Sequence, residues 1–297
     1  MHIHTTQAQP LPMTGTIDSR IGSSGFEAGY PTKERLVELP DEFDFRRAVH
    51  MGWLCLVLAL PVTAIQAAES PDRFRLEVEA AAGWQARNDV QIPNDSSGTR
   101  FSIADTVGSG PVPAARVDFT WALDDRQELR ILVAPFGYEE SGTLPGPVNF
   151  NGASFDAASP TEIKYRFNSY RATWRYRVFQ DEDWTVKLGV TGNIRQAEIA
   201  LTQGGISSSR TDVGFVPLLN VWAERRFAQR WRLVLDLDGL ASPQGRAFDL
   251  SGKVGYDLAP NLTLTAGLRM LDGGDDNDEV YNFARFYYGV ASVIYRF

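Results

Sequence analysis

Apolar and polar residues alternate with a period of two along most of the chain after residue 73. In the segment 74–85, one set of alternate positions reads Phe, Leu, Val, Ala, Ala and Trp, while the other set carries Arg75, Glu77, Glu79 and Gln85. A two-residue period is typical of a β-strand with one apolar face, and no stretch here shows a convincing helical period of 3.6 residues. The pattern therefore predicts an all-β fold.

The same alternation recurs in about ten segments, and the connections between them fall into two classes. Tight turns follow the second, fourth, sixth and eighth segments, with the sequences DDRQ, QDED, AQR and APN. Longer connections are predicted at 88–113, 141–160 and 272–279. Short turns at one rim and long loops at the other are typical of a transmembrane β-barrel. Aromatic residues near the tight turns fit an interfacial girdle: Trp121, Trp174, Tyr176, Trp184, Trp231 and Tyr256.

Two of the predicted strands are irregular. In the fourth strand the apolar positions change phase near 168–169, which predicts a β-bulge there. In the fifth strand, Trp184, Val186, Leu188 and Val190 oppose Thr185, Lys187, Thr191 and Asn193. The sixth is predicted over about 213–226, where Pro217 interrupts the alternation.

The polar positions of these strands carry charges of both signs, whereas the apolar positions carry none through the middle of the strands. An Arg or Lys that faces lipid at the bilayer midplane costs about 2–4 kcal/mol, so in a membrane the charges must line the lumen. The predicted luminal charge network consists of Arg75, Glu77, Glu79, Arg116, Asp118, Arg130, Arg171, Arg175, Lys187, Asp236, Asp238, Asp249, Lys253 and Arg269. Since about eight strands leave room only for side chains and wide pores need about 16, this lumen is expected to be largely filled.

The last predicted strand ends on an aromatic residue. Counting back from Phe297, the alternate positions are Tyr295, Val293, Ala291, Gly289 and Tyr287. This ending resembles the C-terminal strand of bacterial outer-membrane β-barrel proteins, and the resemblance covers about 68–297. In that class the barrel-assembly machinery reads the final strand, so the resemblance implies an assembly signal at Tyr287, Val293, Tyr295 and Phe297. It also implies a closed antiparallel transmembrane barrel in the outer membrane of a Gram-negative cell, among lipid and lipopolysaccharide.

An apolar run, 51–65, precedes the strands and follows Arg46 and Arg47. It is shorter than the roughly 20 residues of a membrane-spanning helix, and small residues follow it at Ala67 and Ala68. These features indicate a secretory signal peptide over 51–67, with a retained anchor as the alternative. Residues 1–50 are then a polar N-terminal extension or reflect a mis-assigned translation start, and 68–297 form the barrel.

Composition removes several classes of function. The formal net charge is −8, which argues against nucleic acid as a partner. Cys55 and the three histidines, His2, His4 and His50, all precede residue 68. The predicted barrel therefore lacks Ser-His and Cys-His nucleophilic pairs and histidine-based zinc sites, and no cofactor is expected. Omptin proteases, the outer-membrane phospholipase and lipid A-modifying barrels rely on a catalytic histidine, so the chain departs from each of them.

Carboxylates remain as candidate chemical groups. Asp236 and Asp238 share a strand face about 7 Å apart and could form an acid–base pair, although ion pairing with luminal arginines is the expected arrangement. The acidic segment near the C-terminus offers hard oxygen ligands but no EF-hand spacing, so it is a weak candidate for Ca²⁺. Its residues are Asp272, Asp275, Asp276 and Asp278.

Three functional hypotheses follow from the sequence. The favoured one is a non-enzymatic outer-membrane barrel with a charged, side-chain-filled lumen and a structural, surface-interaction or lipid-binding role. The second is a narrow channel for small solutes or anions that uses Arg171 and Arg175. The third is a histidine-free surface enzyme that uses Asp236 and Asp238.

Overall fold

The computed structural model of the chain describes residues 73–297, and the predicted extension and signal peptide lie outside this part. The described residues form the predicted closed, antiparallel barrel of ten strands. The strands are β1 (Phe74–Gln91), β2 (Val112–Ala122), β3 (Gln127–Ala134, resuming at Gly137–Gly142), β4 (Thr161–Gln180), β5 (Trp184–Gln203), β6 (Ile206–Ala228), β7 (Trp231–Ser242), β8 (Gly245–Ala259), β9 (Leu262–Asp276) and β10 (Tyr281–Arg296). Each strand pairs with its sequence neighbours.

The barrel is closed by pairing between β10 and β1. This ladder extends from the pair Arg75 and Arg296 to the pair Gln91 and Tyr281. Below it, Phe74 and Phe297 exchange two backbone N–H···O bonds of 2.9 Å each. Closure satisfies the backbone groups of the first and last strands, which a membrane-embedded sheet requires.

The tight turns lie at one rim, which we call the periplasmic rim. In the first of them, the side chain of Asp124 accepts hydrogen bonds from the backbone N–H groups of Arg126 (2.7 Å) and Gln127 (2.8 Å). These bonds lower the pKa of Asp124, with the Arg126 N–H contributing most. Asp181 accepts an equivalent pair of bonds in the second turn. An Asp that bonds to the backbone two and three residues on is a standard means of reversing a chain.

The opposite, extracellular rim is less uniform than predicted. Long connections are present at 92–111 and 143–160, but β5 continues to Gln203 and β6 begins at Ile206, so the predicted start of the sixth strand near residue 213 is wrong. Gly204 and Gly205 form the turn between them, with φ values of +55° and +89°. Two adjacent residues with positive φ suit a tight β-hairpin. The segment 272–276 also belongs to a strand, β9, instead of to a loop.

The predicted bulge at 168–169 is wrong as well. The pairing between β4 and β5 continues past residues 168–169 without a register shift. The register shift in this ladder lies between Arg177 and Phe179, near the periplasmic end of β4. The same set of alternate positions faces inward along all of β4, with Ile163 and Tyr165 buried in the extracellular half and Arg171 and Arg175 buried in the periplasmic half. The sequence changes phase because the interior changes from apolar to charged, and the backbone stays regular.

The two halves of the barrel thus have opposite polarity. In the periplasmic half the outer face is apolar, and Trp121, Trp174 and Trp231 remain 41–44% exposed there. In the extracellular half an apolar core fills the interior. It contains Val90, Ile92, Phe101, Ile103, Phe136, Leu144, Val148, Phe150, Phe155, Ile163, Tyr165, Ile199, Leu201, Phe286 and Tyr288. The periplasmic half has the polarity of a membrane-spanning segment, and along β6 the apolar outer face continues beyond it to Phe215 and Val213.

The two long extracellular connections supply much of that core. The first contains a short strand, Phe101–Ser102, and a helix, α1 (Ile103–Val107), whose N-terminus is capped by Ser102 Oγ at 3.1 Å from the Asp105 N–H. The second contains a small hairpin of Val148–Phe150 and Ala153–Phe155. The rings of Phe101 and Phe150 meet edge to face at 6.4 Å, so the two connections pack together inside the mouth. In the part of the chain that the structure describes, no helix is long and apolar enough to cross a membrane.

Pairing between β6 and β7 covers only part of β6. The ladder extends from Ala228 and Trp231 at the periplasmic end to Leu219 and Gly239, where it ends. Within the described residues, the remaining segment, 206–218, forms a ladder with β5 on one side and with no strand on the other. Pro217 does not interrupt β6, since it pairs with Gly192 of β5.

Candidate functional site: the charged lumen and the cavity above it

The structure places the predicted luminal charges on the inner face of the barrel, where most of them form ion pairs, while Arg75 Nη2 donates to Thr120 Oγ1 at 3.1 Å. Arg130 of β3 is the central cation and is 1% exposed. Its Nη1 lies 2.6 Å from Asp236 Oδ2, and its Nη2 lies 2.7 Å from Asp238 Oδ2 and 3.1 Å from Thr173 Oγ1. Because the two aspartates belong to β7, Arg130 links strands on well-separated sides of the barrel.

Two arginines of β4 extend the network on either side of Arg130. Arg175 donates from Nη2 to Asp236 Oδ2 at 2.9 Å and from Nη1 to Glu128 Oε1 at 3.2 Å. Arg171 Nη1 lies 3.0 Å from Asp238 Oδ2 and 2.9 Å from Asp249 Oδ2. The side chains of Arg171 and Arg175 are 4% and 0% exposed, so both ion-pair sets are shielded from water.

A second group of charges joins β8 and β9 to β1. Asp249 Oδ1 accepts from Arg269 Nε at 2.8 Å, and Lys253 Nζ donates to Glu79 Oε2 at 3.0 Å. Lys253 also pairs with Glu77, which accepts a 2.6 Å hydrogen bond from Ser292. The two groups of charges meet at Asp249, which Arg171 reaches from β4.

Sequence reasoning missed several residues of the network. Glu128 accepts a hydrogen bond from Lys187 Nζ at 2.5 Å. It lies two residues before Arg130, and this spacing places both side chains on the same face of the strand. Asn220 donates from Nδ2 to both aspartates of β7 at 3.0 and 2.8 Å. The ring of Trp222 faces the lumen, where Lys187 Nζ lies 4.6 Å from the ring centroid. A tryptophan in a barrel strand would be expected to face lipid.

The acidic candidates do not form the sites considered from sequence. Asp236 and Asp238 are bridged by Arg130, so neither is an isolated acid or base. Asp272 accepts from Arg246 Nε at 2.9 Å and from Arg285 Nη2 at 3.1 Å, while Asp275 and Asp276 accept from Asn277 and Asn94. Among residues 73–297 no three His, Cys, Asp or Glu side chains are grouped as metal ligands.

A cavity of about 580 Å³ lies on the extracellular side of the network. Arg171, Asn193, Asp238 and Asp249 lie at its charged end, and Ile199 and Phe286 belong to the apolar core beside it. The volume is within the range of about 300–1,000 Å³ that small-molecule sites occupy.

The residues of the predicted assembly signal lie on the outer face of β10 and at its end. Tyr287, Val293, Tyr295 and Phe297 are 46%, 45%, 45% and 53% exposed. The Phe297 ring contacts those of Phe74 and Tyr295 at centroid distances of 5.6 and 5.9 Å. All four side chains are accessible from outside the barrel.

Closure, an apolar outer face and a charged inner face occur together in the periplasmic half. The described residues therefore have the fold of a closed antiparallel β-barrel whose periplasmic half has the polarity expected of a membrane-spanning barrel. No family model matches the chain, and no curated protein matches it.

Solved structures with a similar fold are outer-membrane barrels of different kinds. The outer membrane protease OmpT from Escherichia coli has 10% identity and a TM-score of 0.49, over 78% of this chain and 99% of that one. Neisserial surface protein A has 14% identity and a TM-score of 0.31, over 75% and 97%. The attachment invasion locus protein Ail of Yersinia pestis, in complex with a heparin analogue, has 11% identity and a TM-score of 0.35, over 76% and 99%. At these values no activity is transferred to the barrel described here.

Proposed function

We propose that this chain is a non-enzymatic, non-conducting outer-membrane barrel that acts by binding at its extracellular half. The observation that carries the proposal is the ion-pair network across the lumen. Arg130 joins β3 to β7, and Arg175 joins β4 to β7, so the network spans the interior in more than one direction. A binding role also accounts for the cavity above the network, because a barrel with a purely structural role does not need one.

A continuous channel is disfavoured because a solute would have to displace buried, paired charges. Separating one partner from a buried ion pair costs about 3–5 kcal/mol, and several such pairs lie in the path. The apolar core formed by the two long connections is a further obstruction on the extracellular side.

An enzymatic role for the luminal carboxylates is disfavoured for a related reason. A general acid or base must exchange protons with a substrate that it can reach. Asp238 is 3% exposed and accepts from Arg130, Arg171, Thr191 and Asn220. Its oxygens are therefore occupied by donors of the protein itself.

Single-channel recording of the full-length processed protein in a planar bilayer tests this proposal. The expected result is stable insertion without discrete openings. Reproducible openings whose ion selectivity changes in Arg171→Gln or Arg175→Gln would overturn it in favour of the channel. Arg230→Gln, which alters an exposed residue of a periplasmic turn, is the matched control.

A further inference from the structure

We propose that the barrel wall has a lateral window between β6 and β7, through which an uncharged, largely apolar molecule passes from the membrane into the 580 Å³ cavity. The inference rests on the proposed binding function, because a lumen closed by ion pairs makes the cavity a blind site. It adds the entrance and the chemical class of the ligand.

The window has a defined frame. At its periplasmic end it is bounded by the last ladder pair of β6 and β7, Leu219 and Gly239. At its extracellular end an ion pair between Arg210 of β6 and Glu279 crosses to the connection between β9 and β10. The two sides are the unpaired edge of β6 and the β7–β8 hairpin, whose strands end and begin at Ser242 and Gly245.

The sequence at the β6 edge opposes closure of this window. Pro217 lies two residues beyond the last ladder pair with β7. Proline has no backbone N–H to donate to a neighbouring strand, and within sheets it is confined to edges and bulges. An unpaired strand edge at this position is therefore encoded locally.

The outer face beside the window is continuously apolar. Along β6 the outward positions read Val213, Phe215, Pro217, Leu219 and Val221, without a polar residue among them. Val213 and Phe215 are 69% and 70% exposed, among the highest values for large apolar side chains in the described chain. Apolar side chains at this exposure are stable in contact with lipid, so we infer that the window opens at the outer boundary of the membrane, where the unpaired β6 edge lines the cavity.

The window and the cavity are continuous, and the lining favours an uncharged ligand. Phe215 and Pro217 from the β6 edge and Leu240 and Phe248 from the hairpin line the same cavity as the charged floor. The arginines of the lining are paired within the protein: Arg171 with Asp238 and Asp249, Arg195 with Asp212, Arg210 with Glu279, and Arg246 with Asp272. Of the other lining carboxylates, Glu198 pairs with Lys164 and Arg166, and Asp275 accepts a hydrogen bond from Asn277. An anionic ligand would find no unpaired arginine in this lining, whereas an apolar body with a small polar group matches both parts of the lining.

Binding is tested with the uncharged fluorescent probe N-phenyl-1-naphthylamine and the full-length processed protein in lipid nanodiscs, with empty nanodiscs as the blank. The expected result is a saturable signal that Ala197→Trp, which fills the cavity, weakens at least tenfold. Ala266→Trp, on the lipid-facing side of β9, should bind as the wild type does. Absence of a saturable signal, or equal affinity in Ala197→Trp, would overturn the site. If Ala197→Trp does not fold, Ala247→Trp fills the same cavity from β8.

The route is tested separately by cysteine labelling, since the described residues contain no cysteine. Ala247→Cys places a thiol in the cavity, and Ala81→Cys places one in β1, outside the cavity lining. We expect lipid-dissolved N-(1-pyrenyl)maleimide to modify Ala247→Cys at least tenfold faster than Ala81→Cys. Equal rates, or modification of Ala247→Cys by the water-soluble reagent MTSES alone, would overturn the lateral entrance.

These results are independent of the conductance measurement. A silent barrel that shows no saturable probe binding contradicts the cavity ligand and leaves the non-conducting role intact. Discrete openings contradict the proposed function itself.

Discussion

Arg130 is buried at the centre of the luminal network, where it contacts two aspartates at 2.6 and 2.7 Å. We expect Arg130→Met to lower the free energy of unfolding by about 3–5 kcal/mol, since it leaves Asp236 and Asp238 buried without their shared cation. Urea unfolding of the refolded barrel in lipid vesicles, followed by tryptophan fluorescence, measures the change.

The control for this variant is Arg230→Ala, in an exposed periplasmic turn, where the expected change is within about 0.5 kcal/mol. The double variant Arg130→Met with Asp238→Asn should recover part of the loss, because it removes one of the two stranded charges. Equal stability of Arg130→Met and Arg230→Ala would show that the network does not hold the lumen together.

At the residue scale the sequence predicts the faces of side chains better than it predicts their partners. The two-residue period and the cost of charge in lipid together assign Asp236 and Asp238 to the lumen. Neither argument identifies Arg130 as their common partner, because these residues are more than 100 positions apart in sequence. Their contact depends on which strands face each other across the closed barrel, and strand patterns do not determine this.

The turn between β5 and β6 depends on the backbone conformation of Gly205. Gly205 has a φ of +89°, which an L-residue with a Cβ adopts at a cost of about 1–2 kcal/mol. We expect Gly205→Ala to destabilise the tip of this hairpin. Cleavage near residue 205 by proteinase K added outside intact cells should increase at least threefold.

Gly146→Ala is the matched control for the turn, because its backbone does not need a positive φ and a Cβ there would meet no atom within 4 Å. Its cleavage should stay at the wild-type rate. Equal susceptibility of the two variants would contradict the role assigned to Gly205.

β4 explains why its bulge was predicted wrongly. The prediction assumed that the environment on each side of the strand stays constant, so a change of phase required a change of backbone. In the structure the backbone is regular and the environment changes, because the strand leaves the membrane and its inner side meets the two long connections. The phase change in the sequence of β4 reflects a change of polarity inside the barrel and not a change in the backbone.

The inward direction of the extracellular part of β4 can be tested by truncation. Ile163 is fully buried in the apolar core, and we expect Ile163→Ala to lower the free energy of unfolding by about 2–5 kcal/mol. Urea unfolding measures the change. Glu162→Ala, on the adjacent exposed position, is the control and should alter stability by less than about 0.5 kcal/mol. A larger effect for Glu162→Ala than for Ile163→Ala would indicate that the strand faces the other way.

Residues 73–297 combine two kinds of β-barrel along one axis. The periplasmic half has its charges inside and its apolar residues outside, as lipid requires, and the extracellular half has an apolar interior, as water requires. Strand number, closure and the periplasmic turns could be predicted from local patterns. The inversion and the extended β5–β6 hairpin could not, because both depend on how far the strands project beyond the membrane.

We propose that the barrel-assembly machinery recognises the end of β10, where Phe297 is exposed and contacts Phe74 of the first strand. Phe297→Ala should therefore reduce the amount of barrel in the outer membrane at least fivefold, measured by membrane fractionation and heat-modifiable migration. Refolding of the same variant in detergent should remain near the wild-type yield, because the side chain is 53% exposed and contributes little to packing.

Phe227 provides a close control for the effect on assembly. It lies near the periplasmic end of β6 and is also 53% exposed, so Phe227→Ala removes the same side chain from a similar environment. If recognition depends on the C-terminal position, Phe227→Ala should assemble at wild-type levels while Phe297→Ala does not. Equal losses in the two variants would instead mean that exposed aromatic residues at the periplasmic rim act through the lipid interface, with no special role for the terminal strand.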